Sequence, residues 1–240
     1  MPNAPTSKPK AWLSWSSGKD SAWTLHLLRT RDDVEVVGLL TTLNGNAGRV
    51  AMHAVREELL DAQAEAAGLP LIKVVLPGHP CSNEQYEEAM RAAIARAQAE
   101  GITRMAFGDL YLEDVRRYRE RMLAGTGIQP LFPLWGQPTE QLANRMIAAG
   151  LRAYLTCVDP KQLAPTFVGR TFDEWLLEDL PAGVDPCGER GEFHTFAYAG
   201  PMFSESIPIV PGEIVTRDGF VFADLQLDQR STNSPPGSSR

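Results

Sequence analysis

The alternation of apolar runs with helical patterns in the first half of the chain is the feature that most constrains its fold. Four short runs are almost continuously apolar, at residues 11–15, 34–42, 71–76 and 105–110. Such runs are typical of β-strands that are covered on both faces. Helical patterns lie between them, at residues 20–31, 53–67 and 83–100. Strand–helix–strand alternation predicts right-handed βαβ units, and therefore an α/β fold whose parallel sheet has helices on both faces.

Local signals give the starts of some elements. Ser82 with Gln85, and Thr171 with Glu174, have the spacing of capping boxes and predict helix N-termini. Asp218-Gly219 lies between two apolar runs and predicts a β-hairpin.

The second half of the chain has a different pattern, because helices and strands no longer alternate regularly. Gly and Pro are frequent between residues 125 and 138, which we interpret as a domain boundary. The predicted organisation is a disordered tail at 1–10, a nucleotide-binding α/β domain at 11–130, a smaller mixed α+β substrate-binding domain at 131–227, and a disordered tail at 228–240.

Composition argues against several classes of protein. The 240 residues carry a formal net charge of −7, which argues against a stable nucleic-acid partner because counter-ion release by Lys and Arg drives such binding. No apolar run approaches the roughly 20 residues that span a bilayer, and we expect no signal peptide. Cys81, Cys157 and Cys187 form no Cys-x-x-Cys pair. We therefore expect a cytoplasmic protein without a disulfide framework or a zinc ribbon.

The segment SSGKDS follows the first predicted strand and opens the first predicted helix. It is not a Walker A loop, because Leu13 stands where that motif has its first glycine and Asp20 where it has Ser or Thr. Backbone N–H groups, the helix dipole, hydroxyls and a lysine can still hold a phosphate there. The alternative is an ordinary helix cap with a solvated first turn. The predicted phosphate-binding residues are Ser16, Ser17, Gly18, Lys19, Asp20 and Ser21.

A second compact polar set lies in the otherwise apolar C-terminal half. Its members are Gly188, Glu189, Gly191, Glu192, His194 and Thr195. Two carboxylates near a nucleotide can hold Mg²⁺, orient an ammonium ion or take its proton, and a histidine can act as a base. The alternative is a β-turn with Gly191 at a positive φ and exposed glutamates.

Residues 113–121 carry seven charges in nine positions. A solvated helix with pairs at i,i+3 and i,i+4 explains Arg117 and Arg121. The segment directly follows the fourth predicted strand, so its other charged residues are expected to face a cleft. These are Glu113, Asp114, Arg116 and Glu120.

These motifs together resemble a known family. SSGKDS is similar to the PP-loop, S-G-G-K-D-S, of the ATP pyrophosphatase superfamily, with Ser17 in place of the first glycine. With GDLYLEDVRRYRE, DPCGERGEFHTF and Met52-His53, it resembles the diphthine–ammonia ligase-like family over essentially residues 11–227. Two positions depart from that family's pattern: His194 stands where a glutamate is usual, and Tyr118 where a second arginine is usual.

The resemblance implies a HUP-type sheet that binds ATP and cleaves it between the α- and β-phosphates. It implies adenylation of a carboxylate, release of pyrophosphate and amidation by ammonia. The substrate implied is diphthine on elongation factor 2. Alternatives are another small-molecule carboxylate, as in cobalamin-related metabolism, a non-catalytic ATP-binding sensor, and tRNA thiolation. Thiolation predicts catalytic cysteines and a basic face, which the sequence lacks.

The expected site is therefore as follows. Catalytic roles are expected for Lys19, Glu189, Glu192, His194, Arg116 and Glu120. ATP is expected at Ser16, Ser17, Gly18, Lys19, Asp20, Ser21, Thr41, Thr42 and Gly108. Substrate is expected at His53, Asp109, Glu113, Asp114, Gly188, Gly191 and Thr195. ATP and Mg²⁺ are the expected cofactors, without a dedicated protein metal site. Ammonium and a carboxylate are the other ligands, no membrane partner is expected, and a homodimer is left open.

Overall fold

A computed structural model describes residues 8–45, 49–50, 55–77 and 81–228. His53 and most of the two predicted tails lie outside these residues.

The elements of the first half are β1 (Lys10–Ser14), α1 (Lys19–Arg31), β2 (Glu35–Asn44), β3 (Arg49–Val50), α2 (Glu57–Ala67), β4 (Leu71–Leu76), α3 (Asn83–Ala99), β5 (Arg104–Ala106), α4 (Glu113–Leu123) and β6 (Gln129–Leu131). Those of the second half are α5 (Thr139–Ala148), β7 (Arg152–Val158), a 3₁₀ turn (Pro165–Phe167), α6 (Glu174–Asp179), β8 (Phe193–Ala199), β9 (Ile209–Arg217) and β10 (Phe220–Leu227).

Five parallel strands form the first sheet in the order β4-β2-β1-β5-β6. The two-residue strand β3 pairs antiparallel with the end of β2. The chain moves outward from β1 through β2 to β4 and then crosses to β5. Strand order therefore reverses between β1 and β5, which is where open α/β sheets bind ligands. The predicted Rossmann-like sheet is confirmed.

Helices cover both faces of this sheet. On one face Trp12, Leu40 and Met105 pack with Met90 and Ile94 of α3. On the other face the core extends from Leu13 through α1, α2 and α5 into the second sheet. Continuous packing of this kind stabilises the two halves as one unit.

The second sheet is antiparallel in the order β8-β7-β10-β9. The predicted hairpin is confirmed, since β9 and β10 pair across Asp218 and Gly219, which have φ of 53° and 82°. Positive φ at both central positions is the requirement of a type I′ turn.

Two local predictions have different outcomes. The Ser82–Gln85 capping box is present in both directions. The Thr171–Glu174 capping box is wrong, because Asp173 caps α6 by accepting from the Leu176 N–H. The aspartate immediately before the helix supplies the acceptor that the threonine was expected to supply.

Strand β5 ends at Ala106, four residues earlier than the apolar run predicted. Phe107 and Leu110 are buried although they lie outside the strand. These residues begin the loop that leads to the candidate site. No helix among the described residues has the length and apolar character needed to cross a membrane.

Candidate active site

A cavity of about 320 Å³ lies at the carboxyl ends of β1 and β5. The segment before and at the start of β8 closes it from the other side. It brings together eleven of the predicted site residues: Ser16, Gly18, Lys19, Asp20, Ser21, Gly108, Asp109, Gly188, Glu189, His194 and Thr195. Two sequence motifs about 170 positions apart therefore share one cavity.

The first of these motifs turns sharply at Ser17. Its φ is 70°, in the left-handed region that glycine adopts most readily, and Gly18 then caps α1 in an extended conformation. The Ser17 carbonyl accepts the Ala197 N–H at 2.9 Å and the Gln63 side-chain amide at 3.0 Å. The Ser17 hydroxyl is buried and has no hydrogen-bond partner among the described residues. A glycine at this position would adopt the same turn without steric cost.

Lys19 lies at the base of the cavity with only 2% of its surface exposed. Its ammonium group pairs with Asp20 at 2.8 Å and donates to the Cys187 carbonyl. Phe172 and Phe193 place their rings 5.6 Å from it. Burial of the ammonium is the largest single influence and lowers the Lys19 pKa, but Asp20, Cys187 and Glu189 together outweigh it and the net direction is upward. Lys19 is therefore a fixed cation at neutral pH.

Gly108 brings the loop after β5 against the start of α1. A Cβ atom at this position would lie 3.1 Å from the Asp20 carbonyl carbon and 3.1 Å from the Ser21 nitrogen. Backbone atoms cannot move aside as a flexible side chain can. Glycine is therefore needed here for the two loops to meet.

Glu189 is held by the same loop. Its carboxylate accepts the Leu110 N–H at 2.8 Å and lies 3.4 Å from the Tyr111 N–H. Burial raises the pKa of Glu189 to about 7, against the opposing effect of the Leu110 hydrogen bond. A carboxyl group in this range can accept or donate a proton near neutral pH.

Glu192 has a different environment, although the sequence pairs it with Glu189. It is buried, and its two oxygens accept the Asp185 N–H at 3.0 Å and the Arg190 N–H at 2.9 Å. These bonds brace the turn that contains Gly191, at φ 84°. Glu192 and Gly191 do not line the cavity. Only one of the two glutamates can therefore contact a ligand in this arrangement.

His194 and Thr195 begin β8 and reach the cavity from the second sheet. The Thr195 hydroxyl oxygen accepts the Lys19 backbone N–H at 3.1 Å. Burial lowers the pKa of His194 to about 4, and the nearby Lys19 cation adds to this effect. His194 is therefore a neutral imidazole at pH 7 and can accept a hydrogen bond, whereas its lowered pKa makes it a weak proton acceptor.

Helix α4 presents a different face to the cavity from the one expected. Leu112, Val115 and Arg119 line it, and these positions recur every three to four residues. Arg116 instead pairs with Glu120 at 2.9 Å and lies over the Trp135 ring, with 4.7 Å to its centroid.

The four charged residues expected to face this cleft need a corrected placement. Glu113 and Asp114 lie, like Arg116 and Glu120, outside the cavity lining. Glu113 is exposed, and Asp114 lines a neighbouring cavity of about 540 Å³ that shares Val115 and Arg119 with the first. Glu113 pairs with Arg117 and Arg116 pairs with Glu120, both at i,i+4 on the outer surface. The opposite side of the helix, with Leu112, Val115 and Arg119, faces the cavity.

Two of the residues expected to bind ATP, Thr41 and Thr42, lie away from the cavity. Thr41 is buried near the end of β2, and its hydroxyl has no hydrogen-bond partner among the described residues. Thr42 is its half-buried neighbour. Neither lines the 320 Å³ cavity. Their role, like that of His53, stays a prediction.

Two residues near the site were not anticipated from the sequence. Arg119 lies 3.6 Å from the Asp109 carboxylate and over the Phe107 ring. Gln63 is fully buried and donates to the Ser17 and Ala197 carbonyls while it accepts from the Trp15 indole N–H. The Leu112–Val115–Arg119 spacing could have revealed Arg119. Nothing in the sequence marks Gln63, because its partners come from two distant segments, one at Trp15 and Ser17 and the other at Ala197.

The cavity offers oxygen ligands of the kind that Mg²⁺ prefers. One oxygen of Asp20 and one of Asp109 are buried without a hydrogen-bond partner among the described residues. No group of three or more His, Cys, Asp or Glu residues suited to a metal occurs in the described parts of the chain. Mg²⁺ is usually held by one or two carboxylates together with substrate phosphates, so this donor set fits such an ion.

Comparisons with known proteins agree on one family. Residues 9–130 match the model of the diphthamide synthase N-terminal domain, and residues 138–226 match that of the C-terminal domain. The human diphthine–ammonia ligase is 27% identical over 252 residues, covering 92% of this chain and 93% of that protein. The Bos taurus diphthine–ammonia ligase is 30% identical over 234 residues, covering 88% and 86%.

Among solved structures, the U34-tRNA thiolase NcsA from Methanococcus maripaludis aligns with a TM-score of 0.36 and 16% identity. The alignment covers 59% of this chain and 58% of that one. Nothing about function rests on this weak likeness. The two domain models and the ligases matched along most of their length show that this chain belongs to the diphthamide synthase family.

Proposed function

We propose that this protein is an ATP-dependent amide ligase that adenylates a substrate carboxylate and lets ammonia displace AMP. The carboxylate oxygen attacks the α-phosphorus of ATP, and pyrophosphate leaves. Ammonia then attacks the acyl carbon, which forms an amide and releases AMP. The substrate that we propose is diphthine on elongation factor 2, by analogy with the relatives named diphthine–ammonia ligase.

One observation carries the proposal: Lys19 and Glu189 line the same cavity. Lys19 lies at the start of α1, where an anion can bind. The Glu189 carboxyl group has a pKa of about 7 and can exchange a proton near neutral pH. An adenylating ligase needs both functions within one site, because pyrophosphate departs in the first step and a nitrogen nucleophile loses a proton in the second.

The start of α1 supports phosphate binding. Its first backbone N–H groups and its dipole favour an anion, and Lys19 and Arg119 add positive charge. The lining also contains the carboxyl groups of Asp20, Asp109 and Glu189. Two cations do not offset three carboxylates and a triphosphate, so we expect a divalent cation to accompany ATP. Asp20 and Asp109 would hold Mg²⁺, which would neutralise phosphate charge.

Glu189 is the base that we propose for the ammonium ion. With a pKa of about 7 it is partly ionised at neutral pH. In its ionised form it can take a proton from ammonium, which gives the nucleophilic ammonia. Neutral His194 can accept a hydrogen bond from the same nucleophile. Glu192 holds the turn between them and would act as a positioning residue.

Thiolation has less support from the same cavity. Cys187 lines it, but burial raises the pKa of this thiol far above its usual range. Burial also raises the pKa of Cys157 to about 12. Both are therefore protonated at pH 7, whereas a thiolate is the reactive form.

The test is release of AMP and pyrophosphate from ATP in the presence of ammonium and elongation factor 2 that carries diphthine. We expect stoichiometric AMP, pyrophosphate and amide, dependent on all three substrates. Lys19→Ala should reduce ATP affinity by about 10-fold or more, since a buried charge-assisted hydrogen bond is worth roughly 1.5–3 kcal/mol. The control Lys161→Ala changes an exposed lysine and should leave binding unchanged.

Three results would contradict the proposal or one part of it. ATP binding without cleavage under any carboxylate would indicate a sensor rather than a ligase. Cleavage of ATP with a small-molecule carboxylate, but not with diphthine, would support the proposed reaction and refute diphthine as its substrate. Wild-type turnover in Lys19→Ala would remove the phosphate-binding role of this segment.

A further inference from the structure

Strand β9 is an edge strand that is exposed along almost its whole length. It ends the order β8-β7-β10-β9, and β10 is its only neighbour among the described residues. Of its nine residues, all but Ile209 are exposed. An edge strand of this kind presents unpaired backbone N–H and C=O groups that can pair with another chain.

Large apolar side chains are concentrated on this hairpin. The described residues contain six exposed large hydrophobic side chains: Val75, Trp175, Val210, Ile214, Val215 and Phe220. Four of the six belong to β9 or β10. Ile214 is 61% exposed and Val215 is 43% exposed. Since β-branched residues gain most from packing against a neighbouring strand, their exposure points to a partner strand.

The charges on β9 have a self-complementary spacing. Glu213, Val215 and Arg217 line one groove of about 510 Å³ with Phe222, so their side chains share a face. Glu213 makes no ion pair with any described residue, and Arg217 stacks over Phe222 at 5.1 Å. The groove also contains the Arg56–Asp224 ion pair, and Arg217 lies 3.6 Å from the exposed Asp218 carboxylate at the turn. On β9 itself, one negative charge and one positive charge lie on either side of Val215.

An antiparallel pair related by a two-fold axis at Val215 would match these charges. Glu213 of each copy would then face Arg217 of the other, and Val215 would face its own equivalent. Directly opposed opposite charges and apolar β-branched pairs both stabilise antiparallel strands. Centring the axis one residue away, at Ile214 or Thr216, would place a charge against an apolar side chain or a turn residue. Only the Val215 register satisfies both charges.

The local backbone sets the length of this pairing. The register between β9 and β10 shifts between Ile214 and Pro211, which marks a bulge at Gly212 and Glu213. Pro211 has no N–H to donate, so regular pairing cannot extend beyond it. At the other end Asp218 begins the hairpin turn. Residues 213–217 are therefore the segment available for pairing.

We propose that β9 forms a symmetric dimer contact in which residues 213–217 pair antiparallel with the same segment of a second copy of this chain. The contact is isologous, because one surface meets itself across the two-fold axis. Two antiparallel sheets join into one continuous sheet. The candidate active site lies at the opposite edge of the sheet, so the contact and the proposed chemistry can be tested separately.

Sedimentation equilibrium of the full chain and of two charge variants tests the contact. The wild-type protein should have twice the mass of one chain. Glu213→Arg places two positive charges on β9, and Arg217→Glu places two negative charges there. Each variant alone should be monomeric because like charges would face each other. An equimolar mixture of the two variants should recover the dimer, since every pair in the mixed contact is again opposite.

The mixture separates loss of contact from loss of fold, because a misfolded variant could not be rescued by another. Arg91→Glu, at an exposed position on α3, is the matched control and should stay dimeric. A monomeric wild-type protein at all accessible concentrations would overturn the proposal. So would single variants that dimerise like the wild-type protein, or a mixture that stays monomeric. None of these outcomes depends on catalytic activity.

Discussion

The two edges of the antiparallel sheet have opposite environments. At β8 the edge is buried against the SSGKDS segment: the Ala197 N–H donates to the Ser17 carbonyl, and the Thr195 hydroxyl accepts the Lys19 N–H. At β9 the edge is exposed and carries large apolar side chains. One sheet therefore uses its first edge to complete a site within the chain and leaves the second for a contact outside it.

The difference indicates where the free energy of the fold is concentrated. Gln63 joins α2 to both the turn at Ser17 and the β8 backbone, and all its polar groups are used. Buried networks of this kind stabilise strongly when every group is satisfied. Substitutions at the β8 edge should therefore change stability far more than substitutions at the β9 edge.

The largest effect is expected from Gln63→Leu. It removes three buried hydrogen bonds and leaves polar groups without partners, at a cost of about 3 kcal/mol in the free energy of unfolding. Urea denaturation measures it. Gln98→Leu is the matched control, because Gln98 donates to the Thr126 carbonyl on the surface. If both variants lost the same free energy of unfolding, the buried Gln63 hydrogen bonds would contribute no more than a hydrogen bond on the surface.

Glu189→Gln tests the titrating group beside the β8 edge. Because the Glu189 pKa is raised in the folded protein to about 7, its folded form binds the proton more tightly than the unfolded chain does. The stability that this gives is present at low pH and is lost as pH rises from about 4.5 to about 7. After allowance for solvent screening we expect the wild-type protein to lose roughly 2 kcal/mol relative to the variant across this range.

Thermal unfolding of both proteins at several pH values measures this difference. The glutamine keeps an acceptor for the Leu110 N–H, so the comparison isolates the charge. A difference in Tm that does not change with pH would contradict the raised pKa.

A matched pair of threonine substitutions compares the two edges directly. Thr195→Val on β8 removes the acceptor of the buried Lys19 N–H and should cost about 1–2 kcal/mol. Thr216→Val on β9 changes an exposed side chain and should alter stability by less than about 0.5 kcal/mol. Chemical denaturation of both variants measures the two changes in the free energy of unfolding. Similar changes would contradict the predicted contrast between the two edges.

Among the substitutions beside β8, the smallest effect is expected from Ser17→Gly. Glycine removes the steric cost of the positive φ and the buried hydroxyl, while it adds entropy to the unfolded chain. The net result should be stabilisation by less than about 1 kcal/mol, seen as a higher urea midpoint. A clear loss of stability would instead show that the Ser17 hydroxyl contributes a hydrogen bond.

Sequence reasoning was effective where a pattern is local. The apolar runs, the SSGKDS segment and the Asp218-Gly219 turn each specify their backbone through neighbouring residues, and the parallel sheet and hairpin follow from them. The motifs of both halves could also be placed near one ligand, because the carboxyl ends of parallel strands share an edge.

The remaining assignments depended on the direction of single side chains. Glu189 and Glu192 are equivalent in a sequence motif, yet only Glu189 lines the cavity, since backbone N–H groups bind both oxygens of Glu192. On α4, charge alone favoured Arg116, whereas Arg116 has local partners in Glu120 and Trp135. Arg119 lies on the apolar side of that helix and turns inward with it. In both cases tertiary packing determines which side chain faces the cavity, and a local sequence pattern contains no information about that packing.

The hydrogen bond between Ala197 and Ser17 also bears on how this family can vary. The turn at Ser17, beside which we propose that the ATP phosphates bind, is shaped by backbone from the other half of the chain, so neither half carries a complete site. An exchange of C-terminal halves between family members would preserve this site only if the first β8 residues kept the same backbone path. Such chimaeras should keep this site when β9 changes widely, but should lose it when the backbone at residues 195–197 changes.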